Sequence, residues 1–348
     1  MSCFPTEAAL ALDSKVVLAD WPSRARVRVT GPDRSKLLHN LTTNAVNGRE
    51  SGSGCEAFVT SPQGKTLGFV TLLILDDAIW LRTEAEGLPP ILPHLQKYGV
   101  LEEVELVEVT DLTFELHLTG PLAAELLGDV GGCRLPGVEL EHLPAQVAGK
   151  AVRIVRESPL GPPGFTVIGE RQEAEAVRSA LLEAGRSLGL VRLSPEAFDA
   201  FRIEAGTPAS GRDVTEKNLP QELARDSRAI SFTKGCYLGQ ETVARLDALG
   251  HVNRLFRGFL LEADSTAALP APGSILVAGQ KEIGWITSSG RSERSGRGIA
   301  LGFVRTSHVA PGSTLDVRDE SGETIPAVVV ALPITGSNAA EAEEQTNA

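Results

Sequence analysis

Apolar and polar positions alternate over a short stretch of this chain, give way to helical spacing, and then do so again further on. Ala25, Val27 and Val29 alternate with Arg26 and Arg28, the period-two mark of a strand with one buried face. The strand runs into Thr30-Gly31-Pro32, and Leu37-Leu38 follows in a helix-like stretch. The same order returns 89 residues later as Phe114 to Leu118, Thr119-Gly120-Pro121 and Leu126-Leu127. Proline suits the first turn of a helix, where its missing N–H would have no intrahelical partner.

The sequels are also alike. Strand-like segments Ala57–Thr60 and Gly68–Leu75 flank the turn Pro62-Gln63-Gly64, and a third, Ala78–Arg82, follows Asp76-Asp77. A helix through Leu92–Tyr98 and a strand through Val104–Val109 complete this half. In the second half, strands Val152–Val155 and Gly164–Ile168 flank a Pro/Gly turn. The helix Gln172–Ala184 then sets Ala174, Val177 and Leu181 on one face. Each half reads as β-α-β-β-α-β, a ferredoxin-like unit. Because the later elements repeat in the same order, duplication is favoured over chance recurrence of a common turn.

Past residue 254 the pattern changes to short strands between Gly/Pro/Ser turns: Ser274–Ala278, Ile283–Ser288, Ile299–Val304, Thr314–Asp319 and Ala327–Leu332. That spacing predicts a small antiparallel β-barrel. The expected class is therefore α+β, with duplicated halves at about 22–110 and 111–205, a connecting segment 206–254, a barrel at 255–335, and an acidic, disordered tail at 336–348.

Composition narrows the functional classes. With 42% apolar and 22% charged residues in 348, the chain is globular. A net charge of -12 disfavours direct nucleic-acid binding, although a small anion in a local basic pocket stays open. The apolar run Leu67 to Leu75 stops at Asp76, short of the ~20 residues a bilayer needs. Glu7 precedes any basic residue, so the start does not read as a secretory signal, and the expected location is the cytoplasm. Cys3, Cys55, Cys133 and Cys236 form no C-x-x-C pair, which supports neither a disulfide framework nor an intrinsic metal site.

The candidate chemistry lies in Lys234-Gly235-Cys236-Tyr237-Leu238-Gly239-Gln240-Glu241, ahead of a helix carrying Arg245. A thiol near a helix N-terminus and an ammonium has its reactive thiolate favoured by both, so Lys234 would tune Cys236. The glycines let backbone N–H groups approach a ligand closely. Residues 225–258 carry six basic and three acidic side chains, a local excess of +3 in an acidic chain. The residues alone leave a second reading open, in which Cys236 is a buried, inert thiol and the cations are a solvated face.

This motif resembles the signature K-G-C-Y-x-G-Q-E of the YgfZ family, folate-binding proteins that assist iron–sulfur cluster assembly or repair. Phe201-Arg202-Ile203-Glu204-Ala205-Gly206, Pro220-x-Glu222 and Ile299-Ala300-Leu301-Gly302 resemble the wider glycine-cleavage T-protein superfamily. The resemblance implies lobes around a central cavity for tetrahydrofolate or a derivative, plus the C-terminal barrel. Arg202 matches the arginine of an R-x-E-A-G segment and is the implied folate contact, its guanidinium suited to a carboxylate or pterin carbonyl. Its alternative role is a structural salt bridge with Glu204 or another carboxylate. Gln240, Glu241 and Arg245 would fix the loop or meet a partner.

Two departures bear on activity. The transferase hairpin G-G-V-I-D-D corresponds to Gly64-Lys65-Thr66-Leu67-Gly68-Phe69, without an acid, and the carboxylate of a G-F-E segment falls at Thr166. Without those acids no group is evident to position and deprotonate the folate nitrogen. The resemblance therefore implies a folate-binding factor for iron–sulfur client or assembly proteins, including cluster-dependent tRNA-modifying enzymes. Cys236 would be its reactive thiol and a transient cluster ligand. A folate-dependent aminomethyltransferase and a passive folate-binding module are the alternatives, and whether the protein is an enzyme stays open.

Overall fold

A computed structural model describes residues 5–334, apart from 22, 133, 251 and 263–267. The expected tail at 336–348, Cys3 and Cys133 lie outside the described residues. Helix α1 (Glu7–Ser14) starts on a Thr6 cap and leads to strand β1 (Val17–Asp20). The first lobe follows as β2 (Arg24–Thr30), α2 (Arg34–Leu41), β3 (Gly54–Thr60), β4 (Thr66–Ile74), β5 (Ile79–Glu84), α3 (Leu88–Tyr98) and β6 (Glu105–Glu108). The second repeats that order with β7 (Thr113–Thr119), α4 (Ala123–Gly131), β8 (His142–Val147), β9 (Lys150–Glu157), β10 (Gly164–Glu170), α5 (Ala174–Gly185) and β11 (Val191–Arg192).

The duplication extends to backbone geometry. Gly31 and Gly120, at matching strand ends, have φ of 99° and 109°. A Cβ would collide with the Glu103 carbonyl at the first and the Lys15 carbonyl at the second, so both turns require glycine. The prolines stand in the turn itself. The helices begin two residues later than expected, at Arg34 and Ala123, and the paired leucines Leu37-Leu38 and Leu126-Leu127 are buried in both cores.

Each half has one more strand than the reading β-α-β-β-α-β allows. The sheets run β3-β4-β5-β2-β6 and β11-β1-β7-β10-β9-β8, so β3 and β8 are extra edge strands on ferredoxin-like units. The N-terminal β1 belongs to the second sheet, antiparallel to β7 and parallel to β11. One face of each sheet packs on its own helices, through Val27, Leu81 and Ile91 in the first lobe and Leu118, Ile154 and Val177 in the second. The other two faces turn toward each other.

Helices α6 (Pro195–Ala205), α7 (Asp226–Ala229) and α8 (Gln240–Leu249) lead to the barrel strands β12 (Arg254–Leu261), β13 (Ile275–Ala278), β14 (Lys281–Arg291), β15 (Gly298–Arg305), β16 (Thr314–Arg318) and β17 (Thr324–Val330). These close in the order β12-β15-β14-β13-β16-β17. Phe259, Ile286 and Val329 fill the barrel. Phe256 and Phe303 share a second core with Phe58, Ile203 and Tyr237, which fastens the barrel to the lobes. No described helix is long and apolar enough to cross a membrane.

Candidate functional site

The opposed sheet faces meet over charged side chains. Alternation places Arg24 and Arg26 on the inner face of β2, Arg82 on β5, Glu115 and His117 on β7, and Glu157 on β9. Arg82, wholly buried, reaches Glu115 and Glu157 at 2.7 Å each. Arg26 adds a 3.4 Å pair to Glu115 and donates to the Thr113 hydroxyl at 2.6 Å. Burial pushes the Glu157 carboxyl up, but the Arg82 guanidinium outweighs it and holds the group at about 2. Burial drives His117 down to about 4, so its imidazole is neutral near pH 7.

Beside this network lies a cleft lined by Trp21, Arg24, Phe69, Glu157, Arg202 and Arg225, among others. The Arg24 guanidinium lies 4.5 Å from the Trp21 ring centre and pairs with Glu84 at 3.1 Å. Arg225 pairs with Glu56 at 2.6 Å and lies 5.4 Å from the Phe69 ring centre. Three buried polar atoms around Trp21 lack a partner among the described residues: Trp21 Nε1, Arg24 Nε and His117 Nε2. Buried polar groups are ordinarily satisfied, by water or a ligand where the protein offers no partner.

Arg202 borders the same cleft. Ser194 caps helix α6 through the Ala197 N–H, and Gly206 closes it in the left-handed region. The guanidinium donates to Asp199 at 2.7 Å, Asp213 at 2.8 Å, the Thr207 carbonyl at 2.7 Å and Ser288 at 3.0 Å. Four of its five N–H donors are thus committed to the protein. Its salt bridges run to Asp199 and Asp213 rather than to Glu204. Phe69 and Thr166 stand where acids were sought. Thr166 is buried, with its hydroxyl 2.9 Å from His117 Nδ1. Glu157, one strand over, brings a carboxylate to the cleft that inspection of the sequence missed. The available signal was the alternating charge of Arg24-x-Arg26 and Glu115-x-His117.

The motif segment sits apart, docked on the first lobe. Lys234 donates to the carbonyls of His39, Thr42 and Asn44, the last two at 2.7 and 2.9 Å. It thus caps the carbonyl end of α2. Its ammonium lies 4.8 Å from the buried Tyr237 ring centre, and burial lowers it to about 7. It makes no hydrogen bond to the Cys236 sulfur, so the expected tuning lysine is instead an anchor. The Leu238 N–H donates to the Asn40 carbonyl at 2.8 Å, and its own carbonyl accepts from Thr60 at 2.6 Å.

Gly239, at φ 83°, packs against Ser61 and Gly64 so closely that a Cβ would collide. Gln240 opens α8 half-buried, while Glu241 and Arg245 are exposed. Gly235 and Cys236 are exposed as well, and a Cβ at 235 would meet nothing within 4 Å. Cys55 is the buried thiol, raised by burial to about 11. Among the described residues no group of three His, Cys, Asp or Glu side chains could hold a metal.

Comparison with known proteins finds residues 4–234 matching the GCVT N-terminal domain and residues 254–335 the glycine cleavage T-protein C-terminal barrel domain. A putative transferase of Arabidopsis thaliana, At1g60990, chloroplastic, is 29% identical over 329 residues, 94% of this chain and 73% of the relative. An aminomethyltransferase of Thermus thermophilus is 29% identical over 330 residues, 94% of this chain and 89% of the relative. Among solved structures, the glycine cleavage system aminomethyltransferase T from Bartonella henselae superposes with a TM-score of 0.80 at 22% identity. It covers 94% of this chain and 88% of its own, a likeness of fold.

Proposed function

The chain belongs to the glycine-cleavage T-protein family, and from that premise we propose a tetrahydrofolate-binding protein that assists assembly or repair of iron–sulfur clusters in client enzymes, with Cys236 as its reactive thiol. The observation that carries this reading is the division of labour in the motif. Lys234, Tyr237, Leu238 and Gly239 fix the loop to the first lobe and the core, whereas Gly235 and Cys236 serve no internal contact and face outward. A loop held rigidly around an exposed thiol suits chemistry on a partner. One thiolate is too few for an ordinary cluster with four cysteine ligands, so the cluster is cargo shared with a client or assembly protein.

We assign the pterin to this cleft. Its room of about 40 Å³ requires Arg24 and Arg225 to swing off the Trp21 and Phe69 rings before a ligand enters, and Arg202 keeps one N–H in reserve. Bound tetrahydrofolate supplies the nitrogens that carry one-carbon units. At the acid positions of the transferase this chain has Phe69, without a polar atom, and Thr166, buried against His117, while Arg82 keeps Glu157 ionised. The second reading is aminomethyl transfer, favoured by the names of the relatives and by the Glu157 carboxylate at the cleft. Methylenetetrahydrofolate formed from an aminomethylated carrier protein would establish it.

The test of the first reading is complementation. The host gene is deleted, a [4Fe–4S] enzyme is assayed, and either the wild type or Cys236→Ala is restored. Rescue by the wild type alone is the expected result. Rescue by both makes Cys236 structural, and no deficit on deletion overturns the iron–sulfur reading.

A further inference from the structure

A cavity of about 300 Å³ opens where α8 and the segment around α7 meet the start of the barrel. It shares no lining residue with the central cleft. Gln221 and Asp226 line it from the chain ahead of the motif loop, and Asp247 lines it from the end of α8 beyond that loop. Leu246 and Val252 supply apolar wall, and the exposed Thr306 adds a hydroxyl. Among the described residues no basic side chain lines the cavity.

Its polar groups are acceptors without donors. Gln221 is only 6% exposed, and its Nε2 donates to the Val243 carbonyl of α8 at 2.7 Å. Turning the amide over would set Oε1 against that carbonyl, so the orientation is fixed. Oε1 is then left without a donor among the described residues, as is the buried Asp226 Oδ1. Neither Asp226 nor Asp247 has an ion-pair partner among the described residues. Arg225 and Arg228, beside Asp226 in the chain, are taken by Glu56. Arg254 lies over the Trp285 ring at 4.9 Å, and Arg245 and Arg305 are exposed. Burial and the neighbouring Asp247 charge both push the Asp226 carboxyl up, to about 6, so it is still largely ionised near pH 7. Water can donate to both orphan oxygens but brings no charge, and buried charges are ordinarily paired or bound to a metal.

We propose that Asp226, Asp247 and the Gln221 side-chain carbonyl hold a hard divalent cation of the magnesium, manganese or calcium class, with water in its remaining positions. Two carboxylates balance the charge of such an ion. The donors are all oxygen, and no sulfur or imidazole lines the cavity among the described residues, which selects these ions over zinc or copper. A third acid is not required, because an amide carbonyl is an ordinary ligand for them. They take about six or more oxygens, and the cavity leaves room for water to complete the shell. The bound ion would tie α8 to the segment ahead of the motif, bridging the two flanks of the Cys236 loop.

The test is titration of manganese into the full chain, first stripped with EDTA, followed by the loss of the free-ion electron paramagnetic resonance signal. One ion per chain is expected, displaced by magnesium or calcium but not by putrescine, an organic dication of the same charge. Asp226→Asn and Asp247→Asn should each weaken manganese binding about ten-fold or more, because ligand charge sets the affinity of such sites. Asp247 is exposed and its side chain has no partner among the described residues, so its variant keeps the fold and separates loss of the site from loss of structure. No bound manganese, an affinity unchanged in either variant, or displacement by putrescine would each overturn the proposal.

Discussion

Of the two thiols among the described residues, one is held open and the other closed. Cys236 is exposed in a loop anchored on either side by Lys234, Leu238 and Gly239, whereas Cys55 is buried and its thiol is raised to about 11. Only the thiolate is a nucleophile, and burial holds Cys55 in its thiol form. Treating the native protein with iodoacetamide and mapping the peptides by mass spectrometry should show Cys236 modified within minutes and Cys55 only after unfolding. Equal labelling of both would contradict the placement of the loop. The sequence made the motif conspicuous but not the job of each member. A lysine two residues from a cysteine reads as its electrostatic partner. Only the fold reveals that three carbonyls of the 39–44 turn stand closer and take the ammonium.

At the level of strands, the alternation of Ala25, Val27 and Val29 was legible, and with it the face that packs on the helices. The fate of the opposite face was not. Arg24, Arg26, Glu115 and His117 look like a solvated face, because charged side chains at every second position usually are one. Here the two charged faces meet and neutralise each other out of water. Strand β8 was missed for a related reason: Pro144 and its alternating half-exposed positions disguise an edge strand.

The sheet-to-sheet network has a pH signature. Glu157 is held at about 2 against an ordinary 4.5. Its contribution to stability is therefore complete above pH 4.5 and disappears as the pH falls toward 2. That difference corresponds to roughly 3 kcal/mol. Glu157→Gln should cost about this much at neutral pH and flatten the acid limb of stability between pH 4.5 and 2, as read by urea unfolding. A variant that kept the wild-type acid limb would show that the pair with Arg82 is not what holds the lobes in register.

Across the whole molecule, Asp213 joins what the chain order separates. Its carboxylate accepts from Arg202 on α6, from the Ala209 N–H, and from Thr287 and Ser288 on β14, which couples the cleft wall to the barrel. Asp213→Ala leaves Arg202 with Asp199 as its one carboxylate partner among the described residues and should destabilise the protein by about 3–5 kcal/mol. Hydrogen exchange should then quicken in α6 and β14 together; faster exchange in only one would mean the two are not coupled through this group. The barrel and the duplication were readable from spacing and turns, but a contact spanning 74 residues between Asp213 and Thr287 leaves no periodic trace. The placement of β1 carries a consequence for synthesis. Residues 17–20 leave the ribosome before the first lobe, yet their partners on β7 and β11 begin at residues 113 and 191. The first lobe has all its strands while β1 still waits. Strand β1 is therefore sewn in only after the lobe that follows it is made, and removing it would unravel the lobe made second.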